Sequence, residues 1–276
     1  MEELVHAPAR GPARRLVGTY SGYRSVDVPP AVHRGLPSPW MTVLLTLEDP
    51  LHMAAHPDPA QPGGLFDALV GGLHTTPALI THDGRQSGIQ LALSPLAARA
   101  VLGLPAGELA GLDVHAEDVL GPRVRRLRER LLAAPGWPQR FALLDAALAG
   151  WARDAAPPRE VAHAWHLLHG RSGRVRVDEL AREVGWSRRH LQARFRAETG
   201  LTPKQVARVV RFDRARRALQ AAPRTPLAEL AVAHGYYDQA HLAREFVALA
   251  GVPPSRWVRD EGHAFVQAEE PVPAAG

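Results

Sequence analysis

The chain has 276 residues, 46% hydrophobic and 22% charged, and no cysteine. That length suits one large domain or two ordinary ones with real cores, and the missing thiols exclude disulfides, thiolate metal sites and cysteine nucleophiles. The net charge of +5 is unevenly placed: residues 157–262 carry 19 basic against 11 acidic side chains, leaving the remainder at −3. Such asymmetry points to a polyanion partner for the basic part. Lys204 is the only lysine, so the rest of that charge is guanidinium, suited to planar contacts with phosphate and guanine. Genomic GC bias accounts for arginine over lysine, but not for where the charges sit. The opening MEELVHAPARGPARRL lacks the apolar core of a signal peptide, and no run reaches the roughly 18 apolar residues of a membrane helix. A soluble, cytoplasmic protein without a membrane partner is expected.

In chain order, Met41 to Leu47 (MTVLLTL) reads as a buried strand and Gly88 to Leu93 (GIQLAL) as an alternating one. Pro77 to Thr81 is a shorter strand ahead of a turn at His82-Asp83-Gly84. Ser94-Pro95 should open a helix running to Gly103, with serine as cap and proline in the first turn. Val119 to Ala133 and Trp137 to Trp151 follow as two helices split by Pro135-Gly136. Residues 1–152 are therefore expected to be an α+β domain, β-rich and ending in helices. Residues 153–159, with the Pro157-Pro158 pair, read as a linker.

After the linker no strand signal survives, and residues 160–262 should be all-α. Val161 to His169 is helical, Arg171 to Arg174 is a turn, and Val177 to Val184 is amphipathic. Gly185 ends that helix, Ser187 caps Arg188 to Glu198, and Gly200 stops it. Thr202-Pro203 opens a longer helix to about Ala221, and Pro223 to Pro226 breaks it. Residues 263–276 are expected to be a disordered tail.

The segment LAREVGWSRRHLQARFRAETGLTP (Leu180 to Pro203) recurs, more loosely, as LAVAHGYYDQAHLAREFVALAGVPP (Leu230 to Pro254). Leu180/Leu230, Ala181/Ala231, Gly185/Gly235 and Trp186/Tyr236 pair fifty apart. One inserted residue then pairs His190/His241, Leu191/Leu242, Phe195/Phe246, Gly200/Gly251 and Pro203/Pro254. Two helices joined through a glycine turn, the second capped and polar on one face, form a helix-turn-helix. The expected motifs are 177–198 and 227–249. Leu191 and Phe195, like Leu242 and Phe246, are four apart and face inward. The first copy turns Arg188, Arg189, Gln192 and Arg196 outward, and the second Gln239, Ala240, Ala243 and Arg244. Arginine and glutamine read guanine and adenine in the major groove. Any helical hairpin buries Leu and Phe at this spacing; two copies with the same turn, cap and stop are far more specific. The helix joining the copies spans about 28 Å at 1.5 Å per residue. Successive major-groove faces of one duplex lie roughly 34 Å apart, so both copies should reach one side of a somewhat bent duplex.

On these residues, from about Val161 to Val258, the chain resembles the DNA-binding domain of AraC/XylS-type transcription regulators. The match is carried by DELAREVGWSRRHLQARFRAETGLTPKQVARVVRFDRARRAL, LAELAVAHGYYDQAHLAREF and GVPPSRW. The resemblance implies seven helices in two subdomains, joined by a long helix and set in adjacent major grooves. It places base contacts at Arg189, Gln192 and Ala193, then Gln239, Ala240 and Arg244. Ala193 and Ala240 depart from polar readers, and Arg194 replaces a usually apolar residue and is expected at the groove edge. The candidate base readers are Arg189, Gln192, Arg196, Gln239 and Arg244, with Ser187, Arg188 and Lys204 on phosphate.

Residues 1–152 resemble, more weakly, the N-terminal part of one branch of the same regulators. The features are YSGYR (Tyr20 to Arg24), HDG (His82 to Gly84), GIQLALSPLAARAVLGLPAGEL (Gly88 to Leu109) and DVLG (Asp118 to Gly121). The resemblance implies a cupin-like sensor that binds a small-molecule effector and supports a homodimer. RNA polymerase would be a partner if the chain activates transcription. The apolar stripes Val124, Leu127, Leu131 and Phe141, Leu144, Leu148, Trp151 either pack on the N-terminal sheet or form a dimer surface. His52, His56, His74, His82 and His115 lack a carboxylate at ligand spacing, and no phosphate loop or nucleophile motif appears. His163, His166 and His169 step by three on a helix expected at a solvated surface. No metal, cofactor or catalytic residue is expected. The competing reading is a small-molecule-binding protein or enzyme with a helical protein-interaction module.

Overall fold

The computed structural model describes residues 1–261, so the expected tail at 263–276 lies outside the described residues. The first half contains ten strands: β1 (Glu2–Pro8), β2 (Val17–Ser25), β3 (Ala31–Gly35), β4 (Met41–Thr46), β5 (Leu51–Ala55), β6 (Gly64–Phe66), β7 (Ala68–Gly71), β8 (Ala78–His82), β9 (Gln86–Leu93) and β10 (Asp113–His115). They form two antiparallel sheets, ordered β1-β2-β9-β4-β7-β10 and β3-β8-β5-β6. Short helices α1 (Ala98–Val101) and α2 (Ala116–Leu120) precede the longer α3 (Arg123–Ala133) and α4 (Trp137–Trp151).

Strand alternation sorts this half into three layers. Val43 and Leu45 on β4, with Ile89, Leu91 and Leu93 on β9, pack against Leu127, Leu131, Leu144 and Leu148 of α3 and α4. The intervening Leu44, with Leu69 of β7, turns the other way onto Leu51, Met53 and Phe66 of the second sheet. The central strands β4, β7 and β9 are thus covered on both faces, which is why Met41 to Leu47 reads as a continuous apolar run. Burying each leucine contributes roughly 1.5–3 kcal/mol. The same packing decides between the two readings of the helix stripes. Val124, Leu127, Leu131, Phe141, Leu144 and Leu148 are all buried within the chain's own core, and Trp151 is half-buried beneath the Arg123 guanidinium. These stripes leave no open face for pairing helices between subunits.

Several sequence expectations need correction. The single helix at Val119 to Ala133 is broken at Gly121-Pro122, where Gly121 has φ +68° and proline lacks the N–H needed to continue. Ser94-Pro95 opens only a 3-10 turn at Pro95–Ala97 leading into α1, and the serine side chain makes no cap bond. His82 belongs to strand β8 rather than to the turn after it. Seven strands were not expected at all. Among them, β2 (VGTYSGYRS) is buried almost throughout and shows no period-two signal.

Residues 152–158 hold no helix or strand. Seven helices follow among the described residues: α5 (Arg159–Gly170), α6 (Val177–Glu183), α7 (Arg188–Thr199), α8 (Pro203–Ala221), α9 (Leu227–Ala233), α10 (Gln239–Ala250) and α11 (Pro254–Glu261). Helix α8 lies between the two copies. Trp165 stacks on Phe195 at 6.0 Å in the first, and Phe212 meets Phe246 at 5.0 Å in the second. One continuous apolar core runs through both halves of the chain.

Candidate nucleic-acid interface

Each repeat unit is built by the same local chemistry. Gly185 has φ +73° and Gly235 φ +76°, a region closed to most L side chains, and each lets the first helix end in a tight reversal. The reversal is sealed identically: Trp186 N–H donates to the Ala181 carbonyl at 3.0 Å, and Tyr236 N–H to the Ala231 carbonyl at 2.9 Å. The second helices are then capped. Ser187 Oγ accepts from His190 N–H at 3.2 Å, and Asp238 Oδ1 from His241 N–H at 2.6 Å. Inside, Leu191, Phe195, Leu242 and Phe246 are fully buried, which fixes the outward face of each helix. Between the copies, Thr202 and Gln205 form a reciprocal capping box that starts α8.

Arg189 and Arg196 are exposed on α7 with the half-buried Gln192 between them; spacings of three and four place all three on one face. Ala193 and Arg194 are exposed as well. On α10, Gln239, Ala240 and Arg244 are exposed. Arg188 begins α7 and pairs with Asp178 on α6 at 3.4 Å.

A groove of about 630 Å³ runs between the two units, lined by Arg188, Lys204, Arg208, Arg211 and His241 among others. It brings together the starts of α7 and α8 and the first turn of α10, so both second helices present their N-terminal ends to one basic groove. Arg208 spans it, its Nε and Nη2 donating to both oxygens of Glu245 on α10 at 2.8 and 2.9 Å. Arg211 donates to the Gly173 carbonyl at 2.7 Å. Sequence reasoning passed over these arginines because only the packing of α8 shows which of its many guanidiniums face the groove. It also passed over Tyr237, which is 90% exposed just before α10. Its signal was the register: Tyr237 stands at the one-residue insertion between the copies.

The histidines sort by tertiary context. His163 and His166 are exposed, but His169 is half-buried, 4.6 Å from Trp165 and 6.5 Å from Trp40 of the first half, which corrects the solvated position expected for it. His56 finds a carboxylate far along the chain, its Nδ1 lying 2.8 Å from Asp113, and both are buried. His33 and His82 face each other with Nε2 atoms 2.8 Å apart. Between the sheets lies a cavity of about 100 Å³, mostly aliphatic, with Gln90, His33 and Asp113 among its polar walls. No helix among the described residues is long and apolar enough to cross a membrane.

Residues 180–260 match a family model described as a helix-turn-helix domain. No curated protein matches the chain in sequence. In fold the whole chain is similar to ToxT from Vibrio cholerae: one structure has a TM-score of 0.55 at 9% identity, covering 88% of this chain and 98% of that one. A second ToxT structure, with a bound unsaturated fatty acid, has a TM-score of 0.53 at 9% identity and covers 96% and 97%. A third, bound to (E)-4-(8-methylnaphthalen-1-yl)but-3-enoic acid, has a TM-score of 0.52 at 12% identity and covers 88% and 98%. The matched segment, with its two capped, glycine-turned units, is a helix-turn-helix domain carried behind a β-rich half, in a fold similar to that of ToxT.

Proposed function

We propose that the chain is a sequence-specific regulator that sets α7 and α10 into successive major grooves on one side of a duplex, under the control of a small molecule acting through the N-terminal half. The observation that supports the DNA geometry is the shared basic groove, which residues from the N-terminal ends of both second helices line. In this reading Arg189, Gln192 and Arg196 read bases in one groove, Gln239 and Arg244 in the next, and Ser187, Arg188 and Lys204 hold phosphates. Arg188 exchanges Asp178 for a phosphate on binding.

The two readers are chemically unequal. Where α7 presents Arg189, Gln192 and Arg196, the repeat register gives α10 Ala240, Ala243 and Val247, and Val247 is 46% exposed. Small apolar side chains contact thymine methyl groups. The first half-site should therefore favour guanine and adenine, and the second thymine-bearing pairs beside the base read by Arg244. Ligand control is supported by the ToxT structures that hold carboxylic acids. RNA polymerase is a partner if the bound site lies where activation is possible. A homodimer would need a surface other than the stripes of α3 and α4.

Selection of duplexes bound by the full chain from a random pool tests this directly. Two sequence blocks about 10 base pairs apart, centre to centre, are expected. Recovery of unselected sequence, or of a single block, would overturn the two-groove reading.

A further inference from the structure

We propose that the protein reads the minor groove between its two half-sites through the Arg176 guanidinium, and so favours A·T pairs at positions that neither α7 nor α10 touches. This inference rests on the two-groove reading above and deepens it. The basic groove between the units is lined by Arg176, Arg188, Lys204, Arg208 and Arg211, against two carboxylates, Asp178 and Glu245. Both carboxylates are taken, Asp178 by Arg188 at 3.4 Å and Glu245 by Arg208 at 2.8 Å. Arg211 is anchored to the Gly173 carbonyl at 2.7 Å. Arg176 is exposed and forms no ion pair with a described residue. It stands in extended backbone just before α6, where its side chain makes no cap bond. Its counterpart fifty residues on is Pro226, so only the first unit carries this cation.

Position decides what such a cation meets. With the second helices in successive major grooves on one side of a duplex, the surface between them on that side is a minor groove. Helix α8 has 19 residues and spans about 28 Å, less than the roughly 34 Å between successive major-groove faces. Closing that gap bends the duplex toward the protein, which compresses the minor groove opposite the basic groove. A·T tracts are narrow there already, and their narrowness strengthens the negative potential that draws in arginine. A G·C pair works against this, because it sets the guanine N2 amino group, a donor, in the minor groove. Guanidinium has five donors and no acceptor, so it bonds adenine N3 and thymine O2 but finds no partner in that amino group. Lys204, a compact and strongly hydrated ammonium, stays on phosphate.

The test takes a duplex selected by the full chain, keeps both sequence blocks, and varies only the base pairs between them. Four versions are compared by titration: A·T, G·C, inosine·C and 2,6-diaminopurine·T. Inosine·C keeps the major-groove edge of G·C but lacks the minor-groove amino group, and diaminopurine·T adds that group to an A·T major-groove edge. A·T and inosine·C should bind alike, and the other two roughly tenfold more weakly, within the cost of one unfavourable base pair. Arg176→Ala should level the four affinities. Should that variant fail to fold, the four duplexes with the unaltered chain still decide between the grooves. Equal affinity for all four overturns the proposal. So does an order that pairs A·T with diaminopurine·T, which would assign the reading to the major groove. An Arg176→Ala loss equal on every duplex would make Arg176 a phosphate contact and likewise overturn it. Two selected blocks with an indifferent spacer sink this inference alone, whereas failure to select two blocks sinks the two-groove reading and this inference with it.

Discussion

Arg244 and Lys204 are both exposed cations of the helical part, yet their positions predict opposite consequences for DNA binding. Arg244 is the only arginine of α10 and lies beside an apolar strip, so in the proposed complex its loss removes a base contact. Arg244→Ala should cost about 1–3 kcal/mol on the preferred site and relax sequence preference in one half-site only. Lys204, at the start of α8 in the basic groove, meets a phosphate in the proposed complex. Lys204→Ala should weaken all duplexes alike and reduce the salt slope by about 1. Competition binding at several salt concentrations separates the two patterns, and equal behaviour of the two variants would contradict the assignment. A second residue-level effect lies in the β-rich half. Burial first, then repulsion from His82, holds His33 below the ordinary histidine value of 6.5, and burial lowers His82 as well. Groups depressed on folding stabilise the protein above their unfolded value, and that contribution is lost as pH falls. The thermal midpoint should therefore drop as pH falls below about 6.5, and His33→Gln should shrink the drop in a pH series of melts.

At the scale of elements, the angle of α10 on the linking helix is set by the bidentate Arg208–Glu245 pair as well as by Phe212 against Phe246. The pair is partly solvated, so breaking it costs about 1–2 kcal/mol rather than the full penalty of a buried ion pair. Glu245→Gln should barely change the fold, yet it frees Arg208 toward the groove and loosens α10. Selected sites should then keep the α7 block and blur the α10 block, with tolerance for altered spacing. Unchanged selectivity in the second block would show that apolar packing alone orients this helix.

For the whole molecule, the decisive contact is between the halves. Arg99 donates Nε and Nη2 to both oxygens of Glu198 at 2.8 and 2.9 Å, and Glu198 is buried at the C-terminal end of α7. Beside it, a Cβ on Gly107 would lie 2.1 Å from the Ala197 carbonyl oxygen, so only glycine lets the β-rich half approach that helix. The β-rich half thus holds α7 directly. Arg99→Ala leaves a buried carboxylate unpaired and should destabilise the chain by about 1–3 kcal/mol in urea unfolding. Gly107→Ala should separate the halves, detectable as faster proteolysis between α4 and α5. If neither variant alters stability or cleavage, the halves are not coupled through α7.

The repeat of Leu180 to Pro203 at Leu230 to Pro254 determined the helical part by itself, because caps, glycine turns and four-residue apolar spacing are local devices written in neighbouring residues. Both positive-φ glycines, both caps and all four inward residues stand where that pattern placed them. The β-rich half was far less legible: strands such as β2 are buried on both faces, which erases the alternation that marks a strand. Nor does local pattern say what lies across a seam. That Arg99 reaches Glu198, that Trp40 meets His169, and that Arg14 and Arg214 line one crevice were decided only by tertiary packing, since each joins residues far apart in the chain and their chemistry exists only once two independently patterned halves are pressed together.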